Sequence, residues 1–187
     1  MKKNDQNIKI VPDNYTAVTP WIISRSTDEM IDFLKVVLGA QEIPNSKIKN
    51  EDGVVIHAVI RINDAIVMLF DAREGWGPTP TFLNVYVEDV EKALKKAIEL
   101  GATCVTEVTL LWFGEKVCRI LDPFGNLIWL NERIEEVDFT DIGQVGKRST
   151  TPEAIRGIAY IQKSLDEAMK KQKAFIEGIH NKLYSRN

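Results

Sequence analysis

An internal repeat constrains the fold of this chain more than any other feature of its sequence. The segments STDEMIDFLKVVLGA (26–40) and EDVEKALKKAIELGA (88–102) both carry apolar residues at helical spacing, and both end in Leu-Gly-Ala. The glycines of these two endings, Gly39 and Gly101, lie 62 positions apart. Because glycine commonly ends a helix in the left-handed conformation, the repeat predicts two equivalent helices in two equivalent modules.

Strand-like segments surround both predicted helices in the same order. One precedes each helix, TAVTPWIIS in the first module and TFLNVYVE in the second. Three follow it: QEIPNSKIKN, GVVIHAVIRI and AIVMLFDA in the first module, and CVTEVTLLWF, EKVCRIL and NLIWL in the second. The hairpin turn Asn63-Asp64 falls opposite Gly125-Asn126 at the same offset. Each module is therefore predicted to be βαβββ, and the chain an α+β protein with a curved mixed β-sheet.

The remaining segments define the predicted domain organisation. The first residues are polar, and a second stretch without periodicity separates the two modules from a last helical segment. The predicted parts are a flexible N-terminus at 1–14, a domain at 15–134 with modules at about 15–74 and 81–134, a linker at 135–150 and a C-terminal helix within 151–187.

The C-terminal helix is predicted from a helix-start motif and from a stripe of apolar residues at helical spacing. Thr151 and Pro152 form a helix start, and apolar residues then recur every three or four positions, namely Ile158, Ile161, Leu165, Ala168, Phe175 and Ile179. A helix from Thr151 to Tyr184 would span roughly 50 Å, more than the width of one such domain. The helix is also net positive on a chain of net charge −3. We therefore expect a homodimer in which it crosses to the second copy, and a helix folded back on its own domain is the alternative.

Composition excludes several classes of function. With a formal net charge of −3, the chain lacks the basic face of a nucleic-acid-binding protein. No stretch approaches the roughly 20 apolar residues of a membrane span, and MKKNDQNIKI is not a signal peptide. Cys104 and Cys118 are isolated among apolar residues, which is typical of buried, reduced thiols. We expect a cytoplasmic protein with no nucleic-acid or membrane partner.

The paired βαβββ order is carried by the stretches IDFLKVVLGA, HAVIRINDAIVML, VYVEDVEKALKKAIELGA and LDPFGN. Together they resemble the vicinal oxygen chelate superfamily, which includes glyoxalases, bleomycin-resistance proteins and extradiol dioxygenases. The resemblance covers about residues 15–134. It implies the glyoxalase/bleomycin-resistance fold, with a ligand cleft between the concave faces of the modules. Because one fold hosts many sites, it constrains function less than fold.

The resemblance also identifies where a metal would be bound. Metalloenzymes of this family place one ligand in the first strand of each module and one in the last strand. Those positions fall on Thr19, Phe82, Val67 or Met68, and Trp129. None of them supplies an imidazole, carboxylate or thiolate. The sequence therefore predicts no metal and no other cofactor, and a divalent metal displaced towards His57 is the alternative.

Aromatic and polar residues on the strands predict an organic-ligand site instead. Trp129 and Phe82 replace metal ligands with an aromatic wall. His57 could bind a ligand or act as a base, as histidines do in many sites, or could be a half-buried histidine bonded to a neighbour. At the 62-residue offset its counterpart is Arg119, and this pair suits an anionic or oxygen-rich ligand. The predicted ligand-binding residues are Trp21, His57, Phe82, Asn84, Trp112, Arg119 and Trp129.

Other residues are assigned more weakly. His57 and Glu115 are the candidates for acid–base catalysis, although Glu115 lies in a Gly-containing loop, where a solvated side chain is the favoured interpretation. Trp112 is either a lid over the cleft or a loop anchor. Asp122-Pro-Phe-Gly125 fits a β-turn, and Asp122 is assigned no chemistry.

Three functions follow from these assignments. The leading one is metal-independent binding of a small organic ligand in an aromatic-lined cleft, as in bleomycin-resistance proteins. The second is a glyoxalase- or dioxygenase-type enzyme, a lyase or an oxidoreductase, with a displaced metal site near His57. The third is a dimerising interaction protein whose cleft is vestigial.

Overall fold

The structure is a computed structural model that describes residues 9–76 and 79–184, without the side chains of 172 and 175–184. Residues 1–8 of the predicted flexible N-terminus lie outside the described residues.

The first module is a mixed sheet with one helix on it. The strand order is β1-β5-β4-β2, and β3 also pairs with β4. Strand β1 runs parallel to β5, whereas the other pairs are antiparallel. The elements are β1 (Trp21–Ser24), α1 (Thr27–Leu38), β2 (Gln41–Glu42), β3 (Ile48–Lys49), β4 (Val55–Ile62) and β5 (Ala65–Asp71).

The second module repeats this topology. Its strand order is β6-β9-β8-β7, again with the first strand parallel to the last. The elements are β6 (Phe82–Tyr86), α2 (Val90–Glu99), β7 (Thr103–Leu111), β8 (Glu115–Leu121) and β9 (Leu127–Arg133). The α+β class and the paired βαβββ modules are confirmed. The strands form two mixed sheets, one in each module.

One core joins the two modules through their helices. Helix α1 ends at Gly39, whose φ of +67° is the left-handed conformation predicted for it. Helix α2 is capped by Asp89, which accepts a 2.8 Å hydrogen bond from the Lys92 N–H. The apolar faces of both helices are buried in one cluster with residues of both sheets, including Met30, Leu34, Leu69, Ala97, Ile128 and Leu130.

A carboxylate near the end of each module's last strand holds the start of its helix. Asp71 accepts hydrogen bonds from the N–H groups of Thr27 (2.7 Å) and Val55 (2.8 Å). Glu132 accepts one from the Val90 N–H at 3.0 Å. Negative charge at a helix N-terminus is favourable because the first N–H groups there have no partner within the helix. In both modules, therefore, a carboxylate of the last strand accepts a hydrogen bond from the first N–H group of the helix.

The spacing between equivalent strands is not a uniform 62 residues. Ile22 of β1 lies beside Leu69 of β5, as Val85 of β6 lies beside Leu130 of β9. Residues of β1 thus correspond to residues 63 positions later, and those of β5 to residues 61 positions later. The difference arises because α1 has 12 residues and α2 has 10, and the turns also differ in length.

This local shift corrects one predicted pair. Ala58 lies opposite Leu69, and Cys118 lies opposite Leu130, so β4 corresponds to β8 at an offset of 60. The counterpart of Arg119 is therefore Val59, and the assignment of His57 as its counterpart is wrong.

The turn between β8 and β9 is organised by a buried carboxylate. Asp122 is only 4% exposed, and its Oδ1 accepts hydrogen bonds from the N–H groups of Phe124 (2.9 Å) and Asn126 (2.7 Å). Its Oδ2 accepts one from Asn126 Nδ2 at 2.8 Å. Burial raises the pKa of Asp122 to about 6, although these hydrogen bonds act in the opposite direction. Asp122 is thus a turn residue, as the sequence indicated.

The predicted linker 135–150 contains a helix that the sequence did not reveal, α3 (Ile142–Ser149). It has no buried residue, which explains why it lacks an apolar pattern. Arg148 attaches it to the β7–β8 turn through a 2.8 Å hydrogen bond from Nε to the Trp112 carbonyl. It also forms an ion pair with Glu135, in the segment that follows β9.

The C-terminal helix α4 (Pro152–Tyr184) packs its first half on the second sheet of its own chain. At Gly157 the helix lies against β7, where a Cβ would be 3.4 Å from Leu111 Cδ2, an ordinary van der Waals contact. The buried positions are Ala154, Ile161, Ser164 and Ala168. This packing corresponds to the alternative in which the helix folds back on its own domain, and the homodimer stays a prediction. Phe175 and Ile179 lie outside the described side chains. No helix among the described residues is long and apolar enough to cross a membrane.

The buried Asp122 carboxyl predicts a specific pH dependence of stability. Its pKa is about 6 in the folded chain, against an ordinary value of 3.8, so between these values the native state holds a proton that the unfolded state has lost. The stabilisation is complete below about pH 4 and is lost as the pH rises through about 6, by up to roughly 3 kcal/mol. We expect the unfolding free energy of the wild type, relative to Asp122→Asn, to fall over this range in urea titrations.

Asp64→Asn, in the exposed turn of the first module, is the matched control and should show no such trend. A wild-type-minus-Asp122→Asn difference that stays constant from pH 4 to pH 7 would contradict the assignment.

Candidate functional site

The second sheet has an outer face, turned away from α2, which α4 covers. Strand alternation places Val117, Arg119 and Trp129 on this face, whereas Cys118, Ile120 and Ile128 join the helix-side core. We call this face, formed by Thr106, Leu111, Val117, Arg119 and Trp129, the second outer face. A small apolar cluster of Leu111, Val117 and Ile161, with Phe113, Trp129 and Ile158 packed against it, joins the face to α4.

Arg119 is the central polar residue of the second outer face. It is 2% exposed, and its guanidinium lies 4.0 Å from the centre of the Trp129 ring. Nη1 donates to the Ile161 carbonyl at 2.5 Å and to Thr106 Oγ1 at 3.4 Å. No acidic side chain of the described residues forms an ion pair with it, and Nε has no hydrogen-bond partner among them. Burial lowers the pKa of the guanidinium, because removing its charged form from water is unfavourable.

Trp129 provides the second unpartnered donor. It lies directly opposite Arg119 in the β8–β9 register. Its indole Nε1 is buried without a hydrogen-bond partner among the described residues. The pair therefore presents one positive charge, one aromatic face and two unused N–H donors beneath α4. Such a group can bind an anion or an oxygen-rich planar molecule.

A polar seam fixes α4 beside this pair. The hydroxyls of Thr106 and Ser164 lie 2.6 Å apart, both buried. The Glu107 N–H donates to the Tyr160 hydroxyl at 3.0 Å. Sequence reasoning missed Thr106, Tyr160 and Ser164. The one available signal was that Ser164 falls three residues after Ile161 on the apolar side of a helix, where a hydroxyl needs a partner.

The outer face of the first sheet carries a separate aromatic cluster. Trp21, which is 44% exposed, lies 5.6 Å from the His57 ring and 5.4 Å from the Phe70 ring. Phe70 in turn contacts Trp76 at 6.0 Å, and Arg73 lies 5.5 Å above the Trp76 ring. Phe70 and Trp76 were not predicted. Strand alternation from Met68 would have placed Phe70 on this face.

The other predicted residues occupy dispersed positions on the second module. Phe82 is 51% exposed at the start of β6, and Asn84 accepts a hydrogen bond from Asn131 Nδ2. Glu115 Oε1 accepts a 3.3 Å hydrogen bond from the Tyr86 hydroxyl.

Trp112 behaves as a loop anchor. Its ring lies 5.5 Å from Phe113 and 6.2 Å from Phe139, and its carbonyl is bound by Arg148.

The structure thus brings the predicted residues together as two pairs. Trp129 lies with Arg119 on the second sheet, and Trp21 lies with His57 on the first. Within the described part of the chain, no hydrogen bond, ion pair or ring contact joins these pairs. A groove of about 310 Å³ lies elsewhere, between α2 and β7, lined by Glu91, Leu94, Lys95, Ile98, Glu99 and Val108.

The residues at the family's metal positions do not fit a metal. The register pairs Trp21 with Met68, as it pairs Asn84 with Trp129, so the ambiguous position in the first module is Met68. No group of three or more His, Cys, Asp or Glu side chains among the described residues could hold an ion. Burial raises the pKa of the Cys118 thiol to about 12 and also raises that of Cys104, so neither is poised as a thiolate ligand.

Known proteins share the fold of the two modules. The Glyoxalase/Bleomycin resistance protein/Dioxygenase superfamily model matches residues 14–130. The uncharacterized protein Rv0887c of Mycobacterium tuberculosis is 29% identical over 137 residues, covering 67% of this chain and 79% of its own. PA1353 from Pseudomonas aeruginosa is similar in structure, with a TM-score of 0.54 at 14% identity, over 64% of this chain and 99% of its own. TioX from Micromonospora sp. ML1 has a TM-score of 0.51 at 19% identity, with the same coverage.

Proposed function

Because the chain belongs to the Glyoxalase/Bleomycin resistance protein/Dioxygenase superfamily, we propose that it binds a small organic ligand without a metal, as bleomycin-resistance proteins do. The binding site is the Arg119–Trp129 pair on the second outer face. The ligand carries an anionic or oxygen-rich group for the guanidinium and a planar group for the indole ring.

The buried, unpaired charge of Arg119 is the observation that carries this proposal. A charged group removed from water is strongly unfavourable unless an opposite charge and hydrogen bonds compensate it. Here compensation comes from two neutral oxygens, those of Ile161 and Thr106. A carboxylate, sulfonate or phosphate would supply the missing negative charge and could bind the planar guanidinium through two parallel hydrogen bonds.

The aromatic ring of Trp129 also supports a binding site at this position. The guanidinium already lies over its ring at 4.0 Å, which is a favourable cation–π distance. Small-molecule sites typically combine apolar or aromatic walls with a few polar groups that fix orientation. The apolar neighbours Leu111 and Val117 supply such a wall.

Binding without a metal is part of the proposal. Thr19, Met68, Phe82 and Trp129 offer none of the usual donors to a catalytic divalent ion. His57 contacts the Trp21 ring, so the alternative of a displaced metal site there gains no support from its surroundings.

One observation favours the alternative of a dimerising interaction protein. The first half of α4 already covers the second outer face, as expected of a vestigial site. The second half, with Phe175 and Ile179 in its sequence, would then serve a homodimer.

Substituting Arg119 tests the proposal directly. We expect wild-type protein to bind 1-anilinonaphthalene-8-sulfonate, an aromatic sulfonate whose fluorescence rises in apolar sites, and Arg119→Met to bind it about tenfold to hundredfold more weakly, because charge-assisted hydrogen bonds are lost. The matched control is Arg61→Met, which removes a half-buried arginine from the first sheet and should leave binding unchanged.

Thermal melting of each variant shows whether it is folded. Equal binding by folded Arg119→Met and wild type would contradict the site.

Metal analysis tests the metal-independent part. We expect no stoichiometric metal in protein purified without chelator, because the donors do not converge. Retention of about one zinc, iron, manganese or nickel ion per chain, lost on His57→Ala, would instead support the enzyme alternative.

A further inference from the structure

We propose that the first half of α4 is a displaceable plug, and that an organic anion competes with it for Arg119. The inference rests on the proposed function and adds its regulation. The site is closed when α4 is docked and open when residues 154–168 leave the second outer face.

The Ile161 carbonyl occupies the position of a ligand oxygen. It accepts from Arg119 Nη1 at 2.5 Å and is itself part of the helix backbone. A carbonyl oxygen carries only a partial negative charge, whereas a carboxylate or sulfonate carries a full charge on two or three oxygens. The ligand therefore makes the stronger hydrogen bonds to the same nitrogen.

The docked helix fits the site incompletely. Arg119 Nε and Trp129 Nε1 stay buried without partners among the described residues. Each buried donor without a partner disfavours the docked state. An anion that accepts hydrogen bonds from both donors removes this penalty. The same two donors therefore disfavour the docked helix and favour the ligand.

The attachment of α4 is small and separate from the main core. Among the described residues, Leu111, Val117 and Ile161 are the buried members of the apolar cluster that joins α4 to the sheet, while both modules share a different and larger cluster. The polar seam adds the Thr106–Ser164 and Glu107–Tyr160 hydrogen bonds. Segments with few buried apolar contacts open at a lower free energy than the core. The helix can therefore leave while both sheets stay folded.

Closure lowers the apparent affinity for the ligand. When only a fraction of molecules is open, the apparent dissociation constant rises by the inverse of that fraction. Substitutions that loosen α4 without touching Arg119 or Trp129 should then tighten binding.

A reversible disulfide lock tests the plug. The Thr106 and Ser164 side-chain oxygens lie 2.6 Å apart, so Thr106→Cys with Ser164→Cys places two sulfur atoms within bonding reach. We expect the oxidised variant to bind 1-anilinonaphthalene-8-sulfonate about tenfold more weakly than its reduced form, with full recovery on reduction. Mass spectrometry verifies the bond, and melting verifies the fold.

A second variant tests the opposite direction. Tyr160→Phe removes the hydrogen bond from the Glu107 N–H and leaves the ring in place. We expect binding to tighten about two- to tenfold, as the loss of one hydrogen bond implies. Tyr86→Phe, which removes a hydroxyl contact to Glu115 instead, is the control and should bind as wild type does.

Hydrogen exchange provides a readout independent of affinity. The probe should increase amide exchange in 154–168 and leave the strands protected. Equal binding by the oxidised and reduced lock overturns the plug and leaves the proposed function standing. Absence of binding in wild type, reduced lock and Tyr160→Phe alike overturns the proposed function and the plug with it.

Discussion

The buried guanidinium of Arg119 limits what can cover the second sheet. A positive charge that is 2% exposed needs oxygen atoms around it, so an apolar helix face alone could not lie there. Helix α4 meets this requirement with the Ile161 carbonyl, while the hydroxyl pair of Thr106 and Ser164 completes the polar seam. The position of α4 along the sheet therefore depends on this one charge more than on its apolar stripe, whose regular spacing would permit several registers.

The repeat allowed the fold to be predicted, because the order of elements and the helix-ending glycines are both legible in the sequence. The pairing of site residues was less predictable. A strand presents alternate residues to opposite faces, so a difference of one or two residues in a helix or turn changes which side chains are equivalent. The 62-residue offset is correct at Gly39 and Gly101, yet the offset is 60 in β4, and Arg119 therefore corresponds to Val59. Periodicity locates elements well but does not reveal such short insertions.

The C-terminal helix shows a different limit of sequence reasoning. The stripe that includes Ile158 and Ile161 correctly indicates a buried face, but a stripe does not identify the surface that buries it. Length and charge favoured a second copy, which stays a prediction, whereas Ser164 indicated a polar partner on the surface that α4 contacts in its own chain. A hydroxyl on an apolar face is a weak signal until the opposing residue, Thr106, is known.

The outer faces of the two modules differ at equivalent positions. The cross-strand pair Arg119 and Trp129 corresponds to Val59 and Met68 in the first module, where no charge needs compensation. At this position of the repeat, therefore, a buried charge is present in the second module and absent from the first. The first module instead presents Trp21 beside the Phe70 ring, with Arg73 over the neighbouring Trp76 ring. The fully buried guanidinium thus lies in the second module, and α4 covers the face on which it lies.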